Sequence, residues 1–353
     1  MPTLILTPPA RQSAPTSIFI ESGAIDRLAE SLKPLGQFDA YVVLFDRGVK
    51  AIANRVVGQL GAETLRVHAI AVESGDASKS LQEADAIAAR MLEAQCGRST
   101  LLIAVGGGML TDLGGFVASV FMRGIPSVLI PTSMLAMADA AIGGKNAVNC
   151  ADHKNMIGTI YHPLAVVSDL DLLKTLPIAQ LHEGLVEVIK IAAIKDATFF
   201  AWLEANLKKV LARDPKALEE CMTQAVSVKI ATVETDEADW SERLYLNFGH
   251  TIGHAIEATS HYHLSHGQAV AIGMMAEMKV TGFTDIKRVE KLLFALELPL
   301  SLPPEFSADD LWHLMLTDKK TERGSVRIAV PSVIGTGSLH TLERSGFDSL
   351  FGK

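Results

Sequence analysis

At 353 residues the chain exceeds the roughly 250–300 residues at which one hydrophobic core stops growing, so two parts are expected. Apolar residues at 48% and charged residues at 20% exclude a disordered chain, and a net charge of −8 argues against the concentrated basic surface of a nucleic-acid groove. Cys96, Cys150 and Cys221 are odd in number and far apart, which fits neither a disulfide framework nor a thiolate zinc site and points to a reducing, cytoplasmic setting. Residues 1–15 lack a basic segment followed by an apolar core, and the most apolar region, 125–144, is broken by Pro126, Pro131 and Asp139. Neither a signal peptide nor a membrane span is expected.

In chain order, the apolar runs 40–45 and 64–72 read as buried strands, the first ending at Asp46. Residues 81–95 read as an amphipathic helix with Leu81, Ala84, Ile87, Ala88 and Met91 on its buried stripe. A strand over 101–105 runs into Gly106-Gly107-Gly108, a helix starts near Met109, and a further strand covers 127–130. This rhythm predicts an α/β, Rossmann-like part with a parallel sheet over residues 1–175. Beyond Pro177 helical patterns take over, at 179–195, 197–210, 215–235, 249–259, 267–282 and 286–296, with another helix starting at Ser307 and a late strand at 325–330. Residues 176–353 are therefore expected to form an essentially all-α part, and the two parts to enclose a cleft.

Three motifs carry chemistry. The glycine turn between strand and helix lets backbone N–H groups approach a phosphate, and Asp46 at a strand end suits ribose hydroxyls and repels a 2′-phosphate, which favours NAD over NADP. Alone, such a turn is a weak signal. In 122–158, Arg123, Lys145, Lys154 and Asn155 stand among small and apolar residues with Gly143-Gly144 between them, a setting for an anion. Finally, five of the eleven histidines fall in 243–266. His250 and His254 share a helix face, His266 sits near a helix start, and Glu187 on an earlier apolar helix completes a Glu/His/His set suited to a zinc-type cation with an open position.

Taken together, G-G-G-M-L-T-D-L-G-G, M-R-G-I-P, I-G-G-K-N-A-V-N, K-N-M-I-G, D-L-L-K-T-L-P, E-V-I-K, L-N-F-G-H-T-I-G-H-A-I-E, H-G-Q-A-V-A-I-G-M and D-K-K resemble the 3-dehydroquinate synthase family of the sugar-phosphate cyclases, in family order over about residues 40–335. The resemblance implies an NAD-binding Rossmann-like domain, a helical domain, a divalent metal (Zn or Co) between them, and a homodimer. Glu187, His250 and His266 match the metal ligands. Arg123 (from the other subunit), Lys145, Asn155, Asn247 and His254 match the phosphate positions. Arg243 and the lysines Lys319 and Lys320 match the carboxylate positions, and Lys190, Lys229 and Asp139 match groups on the ring hydroxyls. Asp46, Asp76, Lys79, Gly107, Gly108, Asp112, Thr132, Ser133 and Lys154 match NAD contacts. His254, Lys190, Lys145, Asp139, Lys229, Arg243 and Asn247 make up the implied catalytic set.

The activity implied is conversion of 3-deoxy-arabino-heptulosonate 7-phosphate to 3-dehydroquinate and phosphate, with NAD regenerated in each cycle. Several positions depart from the family pattern: Ser133 for Thr, Met137 for Gln, Ala140 and Ala141 for Ser, Asp76 and Asp239 for Glu, and Gln268 for Glu. Retention of Arg243, Asn247, His254 and the lysine pair favours a substrate with a carboxylate. The alternatives are a cyclase acting on sedoheptulose 7-phosphate or an aminosugar precursor, and a metal-dependent polyol dehydrogenase.

Overall fold

The computed structural model describes residues 15–61, 66–151, 153–237, 239–261, 263–317 and 326–351. Its strands are β1 (Ser17–Glu21), β2 (Ala40–Asp46), β3 (Val67–Val72), β4 (Thr100–Gly106), β5 (Ser127–Pro131), β6 (Lys145–Cys150), β7 (His153–Ile160), β8 (Ala165–Asp169), β9 (Val326–Val333) and β10 (Thr336–Leu342). Its helices in the first part are α1 (Leu28–Leu32), α2 (Lys50–Gly61), α3 (Leu81–Glu93) and α4 (Gly108–Val120). Those that follow are α5 (Ile178–Lys195), α6 (Ala197–Leu211), α7 (Pro215–Thr235), α8 (His250–Thr259), α9 (His266–Thr281), α10 (Ile286–Phe294), α11 (Ala308–Thr317) and α12 (Arg344–Asp348).

Six strands form one parallel sheet in the order β1-β8-β5-β4-β2-β3. Strands β4, β5 and β8 are buried along their whole length, and the apolar runs Leu101–Val105 and Val128–Ile130 of the first two are what a sheet covered on both faces requires. Strand β2 lies between β3 and β4, so the chain reverses its direction of travel across the sheet there, and the crevice at such a reversal is where α/β sheets bind ligands. Asp46 ends β2, Asp76 follows β3, Gly107 follows β4 and Thr132 follows β5. All four therefore stand at the same edge of the sheet.

Helix α3 begins after the Ser80 N-cap, whose Oγ accepts from Glu83 N. Ala84, Ile87 and Met91 are buried as the spacing indicates, but Leu81 is 47% exposed, because the stripe turns inward only after the first helical residue. Within 122–158, the stretch read as a setting for an anion, Lys145, Lys154 and Asn155 fall on the antiparallel pair β6–β7. Among the described residues the second part is mostly helical and carries one β-hairpin, β9–β10, turned at Gly335 with φ +89°. The described helices include none long and apolar enough to cross a membrane.

Helices α8 and α9 meet backbone to backbone. A Cβ on Gly273 would lie 2.0 Å from Gly249 O and 2.9 Å from Gly253 N. The fully buried Glu277 on α9 accepts from Gly249 N at 2.6 Å and Ile252 N at 3.2 Å, satisfying the start of α8. Gly273→Ala is expected to destabilise the fold by about 1–3 kcal/mol through overpacking. Gly58→Ala in α2, where a Cβ meets nothing within 4 Å, is expected to be stabilising by about 0.5–1 kcal/mol. Chemical denaturation of the two variants checks the opposite signs.

Candidate active site

Helix α5 places Glu187 and Lys190 on one buried face, with both side chains essentially inaccessible. Lys190 Nζ donates to Glu187 Oε2, leaving Oε1 buried without an aligned hydrogen bond. His266 Nε2 lies 3.3 Å and His250 Nε2 3.6 Å from that orphaned oxygen. The three residues can offer ligand atoms within 4.8 Å of one another. His250 is the first residue of α8, and its Nδ1 lies 3.1 Å from Phe248 O, a donation that turns Nε2 toward Glu187. His266 is the first residue of α9, after the Ser265 N-cap.

The charges around this cradle are tightly balanced. Burial pushes the Glu187 carboxyl up, but Lys190, His250 and His266 together hold it well below its usual range. Burial and the Lys190 ammonium push His250 well down, toward the neutral imidazole a metal requires. Burial opposes protonation of His266 as well, but the Glu187 and Glu257 carboxylates raise it to about 10.

Beside the cradle, Asp139 sits in a π-helical turn over 136–140 and accepts from Lys229, with Lys190 Nζ at 4.0 Å. Burial and its neighbours push the two lysines apart: burial lowers Lys190, but Glu187 and Asp139 outweigh it and raise it, whereas burial leaves Lys229 lowered despite Asp139. Lys145 pairs with Asp239, and burial followed by the nearby Arg243 charge lowers it to about 8. Arg243, 3% exposed, donates through Nη1 to Gly143 O at 3.1 Å and Glu237 O at 3.0 Å. Gly143 has φ +100°, a conformation L side chains rarely adopt, and a Cβ there would fall 2.6 Å from Arg243 Nη2 and 2.8 Å from Val233 Cγ2.

At the sheet edge, Asp46 accepts from Gly48 N at 2.7 Å and from Ser74 Oγ, Gly107 caps α4, and Ser133 Oγ accepts from Ala136 N at 3.3 Å. Thr132 is buried and its N–H donates to Gly106 O at 2.9 Å. Lys79 Nζ joins Asp112 Oδ2, at 2.6 Å, to Asn155 Oδ1. Burial raises the Asp112 carboxyl against the pull of Lys79. Lys154 bridges Asp76 Oδ2 at 2.7 Å and Glu257 Oε1 at 3.0 Å. Asn247 donates to Leu244 O at 3.1 Å, and the exposed His254 ring packs 5.3 Å from that of His250. Arg123 is exposed at the opposite end of α4 from Gly107, about 20 Å along a helix of this length, so the chain's own glycine turn is out of its reach. Lys319 and Lys320 lie outside the described residues.

Several departures from the family pattern have local explanations. Met137 and Ala141 are buried, where hydroxyl or amide groups would need partners. Gln268 accepts from Ser265 N at 3.0 Å and completes a capping box, a role glutamate and glutamine share. Three carboxylates without an assigned role also enter the site: Glu257, Glu277 and Asp236. Glu257 was legible at i+7 from His250 and i+3 from His254, one helical face.

The fold and the site define a nucleotide-binding type of sheet joined to a helical part that presents a Glu/His/His cradle. Family models for the 3-dehydroquinate synthase N-terminal and C-terminal regions match residues 69–183 and 184–321. The chain is 38% identical over 328 residues to a 3-dehydroquinate synthase from Desulforamulus reducens, covering 90% of this chain and 91% of that protein. It belongs to the 3-dehydroquinate synthase family. Among solved structures it resembles a 2-deoxy-scyllo-inosose synthase complexed with carbaglucose-6-phosphate, NAD+ and Co2+, with a TM-score of 0.86, 25% identity and 95% of each chain covered. It also shares its fold with 2-epi-5-epi-valiolone synthase from Streptomyces hygroscopicus, solved with NAD+ and Zn2+, with a TM-score of 0.87, 24% identity and 98% of each chain covered.

Asp236 fixes the loop that delivers Arg243, accepting from Trp240 N at 3.0 Å, Ser241 N at 2.6 Å and Arg243 N at 3.1 Å. Burial pushes its carboxyl up, but these backbone donors outweigh burial and hold it at about 2. A depressed folded-state value means stability present above the unfolded-state value, near 3.9, and lost as pH falls toward 2. Asp236→Asn is therefore expected to melt lower than the parent at pH 7, and the gap to close between about pH 4 and pH 2. Thermal melts across that range check it.

Proposed function

We propose that the protein is a 3-dehydroquinate synthase, converting 3-deoxy-arabino-heptulosonate 7-phosphate to 3-dehydroquinate and inorganic phosphate with bound NAD and a divalent cation. The observation that carries the reading is the Glu187/His250/His266 cradle with its orphaned carboxylate oxygen, set beside the cationic group Lys190, Lys229, Lys145 and Arg243 in a chain of this family. A carboxylate and two imidazoles with the tautomer of one fixed by a backbone carbonyl suit Zn2+ or Co2+. When bound, NAD transiently oxidises a ring hydroxyl and the cation polarises that oxygen, which makes the neighbouring C–H acidic.

This chain's residues do the remaining work. Residues 1–175 hold the dinucleotide: Asp46 at the ribose, Gly107 and Gly108 at the diphosphate, and Asp76, Lys79, Asp112, Thr132, Ser133 and Lys154 around it. Residues 176–353 hold the cation and most of the substrate. Arg243, with Lys319 and Lys320, takes the carboxylate, and its buried planar fork suits that group. Asp139, Lys190 and Lys229 orient the ring hydroxyls. Lys145, Asn155, Asn247 and His254 hold the phosphate, and a proton removed from the acidified carbon passes to a phosphate oxygen or to a ring nitrogen of His254 as phosphate leaves.

Asn155 of the phosphate set is tied through Lys79 to Asp112 near the start of α4, whereas Arg123 lies beyond the other end of that helix, which supports a homodimer in which the partner subunit's Arg123 completes the phosphate site. Val120 and Met122, beside Arg123 in the chain, are 50% and 38% exposed, apolar surface suited to a second copy. Three free cysteines support the cytoplasm as the compartment.

Purified protein supplied with NAD and Co2+ is expected to release phosphate from the heptulosonate phosphate without net NADH accumulation, and to sediment as a dimer while doing so. Turnover of sedoheptulose 7-phosphate with none of the heptulosonate would overturn the substrate in favour of a cyclase without a carboxylate requirement. Net NADH from a simple polyol would replace the reading with a dehydrogenase.

A further inference from the structure

Glu257 is buried on α8, 5% exposed. Its two oxygens are divided between two partners from different parts of the chain. Oε2 lies 3.1 Å from His266 Nδ1, and Oε1 accepts from Lys154 Nζ at 3.0 Å. Lys154 belongs to the β6–β7 hairpin and continues to Asp76 Oδ2 at 2.7 Å, in the turn after β3.

We propose that Glu257 is a positioning residue that orients His266 for the cation and, through Lys154 and Asp76, couples cation binding to dinucleotide binding. The proposal rests on the reading of Glu187, His250 and His266 as the cation site. With Nδ1–H donated to Glu257, the His266 ring presents Nε2 to the cradle, where Glu187 Oε1 already lies 3.3 Å away. A carboxylate behind a ligating imidazole also raises its basicity. The same carboxylate holds the Lys154 ammonium against Asp76, on the cofactor side of the cleft. A cation that tightens the His266–Glu257 contact therefore also fixes Lys154 and Asp76, and by linkage the dinucleotide must favour the cation to the same degree.

A rival role for Glu257 is that of ligand, since His254, Glu257 and His266 also bring ligand atoms within 4.8 Å of one another. Two features oppose it. The Lys154 ammonium already neutralises Glu257 and would repel a second cation beside it, and His266 Nδ1 would have to give up its proton while Nε2 served the first cation.

The test is Co2+ affinity by chelator competition, with the Co2+ visible absorption spectrum, on the full-length protein and its Glu257→Gln, Glu257→Ala and Lys154→Met variants. NAD affinity is measured with and without Co2+ in each, and far-UV circular dichroism confirms the fold. The parent is expected to bind one Co2+ per chain and to bind NAD roughly fivefold or more tightly when Co2+ is present. Glu257→Gln, which keeps an acceptor for Nδ1–H, is expected to lose about tenfold in Co2+ affinity, and Glu257→Ala to approach 100-fold with a shifted spectrum. Lys154→Met is expected to hold Co2+ within about threefold of the parent and, as one of the dinucleotide's own contacts, to weaken NAD both with and without Co2+, but to bring the ratio of the two NAD affinities to one; that ratio is what reads the link. Unchanged Co2+ affinity in folded Glu257→Ala, or unchanged coupling in Lys154→Met, would overturn the proposal while leaving the cation site standing. Two Co2+ per parent chain falling to one in Glu257→Ala would make Glu257 a ligand. A parent that binds no Co2+ would remove the cation site and the proposal together.

Discussion

Glu187 is fully buried in a helix whose neighbouring residues are apolar, and a lone carboxylate there would cost several kcal/mol. The fold meets that cost by bringing positive or polarisable groups to it from three helices: Lys190 from α5 itself, His250 from the start of α8 and His266 from the start of α9. One of its oxygens still lacks an aligned hydrogen bond. A buried polar atom left in that state is a costly feature in a structural site and a useful one in a site that takes a cation.

Delivering two histidines to one carboxylate constrains the backbone around them. Both are the first residues of their helices, so the crossing of α8 over α9 sets their separation. That crossing is close because Gly249, Gly253 and Gly273 allow the two backbones to meet, and Glu277 caps α8 from α9 in place of an N-cap side chain of its own. The next carboxylate outward, Glu257, ties the same helices to the hairpin and to the sheet edge. Burial, helix crossing and hydrogen bonding thus act on the same few atoms.

Much of this was legible in the sequence where physics is local. The Val, Ile and Leu runs of β2, β4 and β5 and the glycine turn after β4 mark the sheet, and the capped, periodic segments mark α3 to α11 closely. Strands β1 and β8 are short, five residues each, and owe their place to pairing with one another, while β6–β7 is too polar to show a strand pattern. The Glu/His/His set could be read from residue types and helical spacing. What could not be read was who neutralises whom: Lys145 meets Asp239 and Lys154 meets Glu257 across 94 and 103 residues, and Arg243 is held by Asp236 through backbone N–H groups. Such pairings depend on tertiary approach, and no local pattern encodes them.

The central claim is that Glu187, His250 and His266 together form one divalent-cation site. It is tested most directly by the metal content of His250→Ala, purified beside the parent and dialysed against Zn2+. The account predicts one Zn2+ per chain in the parent and less than a tenth of that in a variant whose circular dichroism is unchanged, since two remaining ligands hold the ion far more weakly. A folded His250→Ala protein retaining one Zn2+ per chain would contradict it.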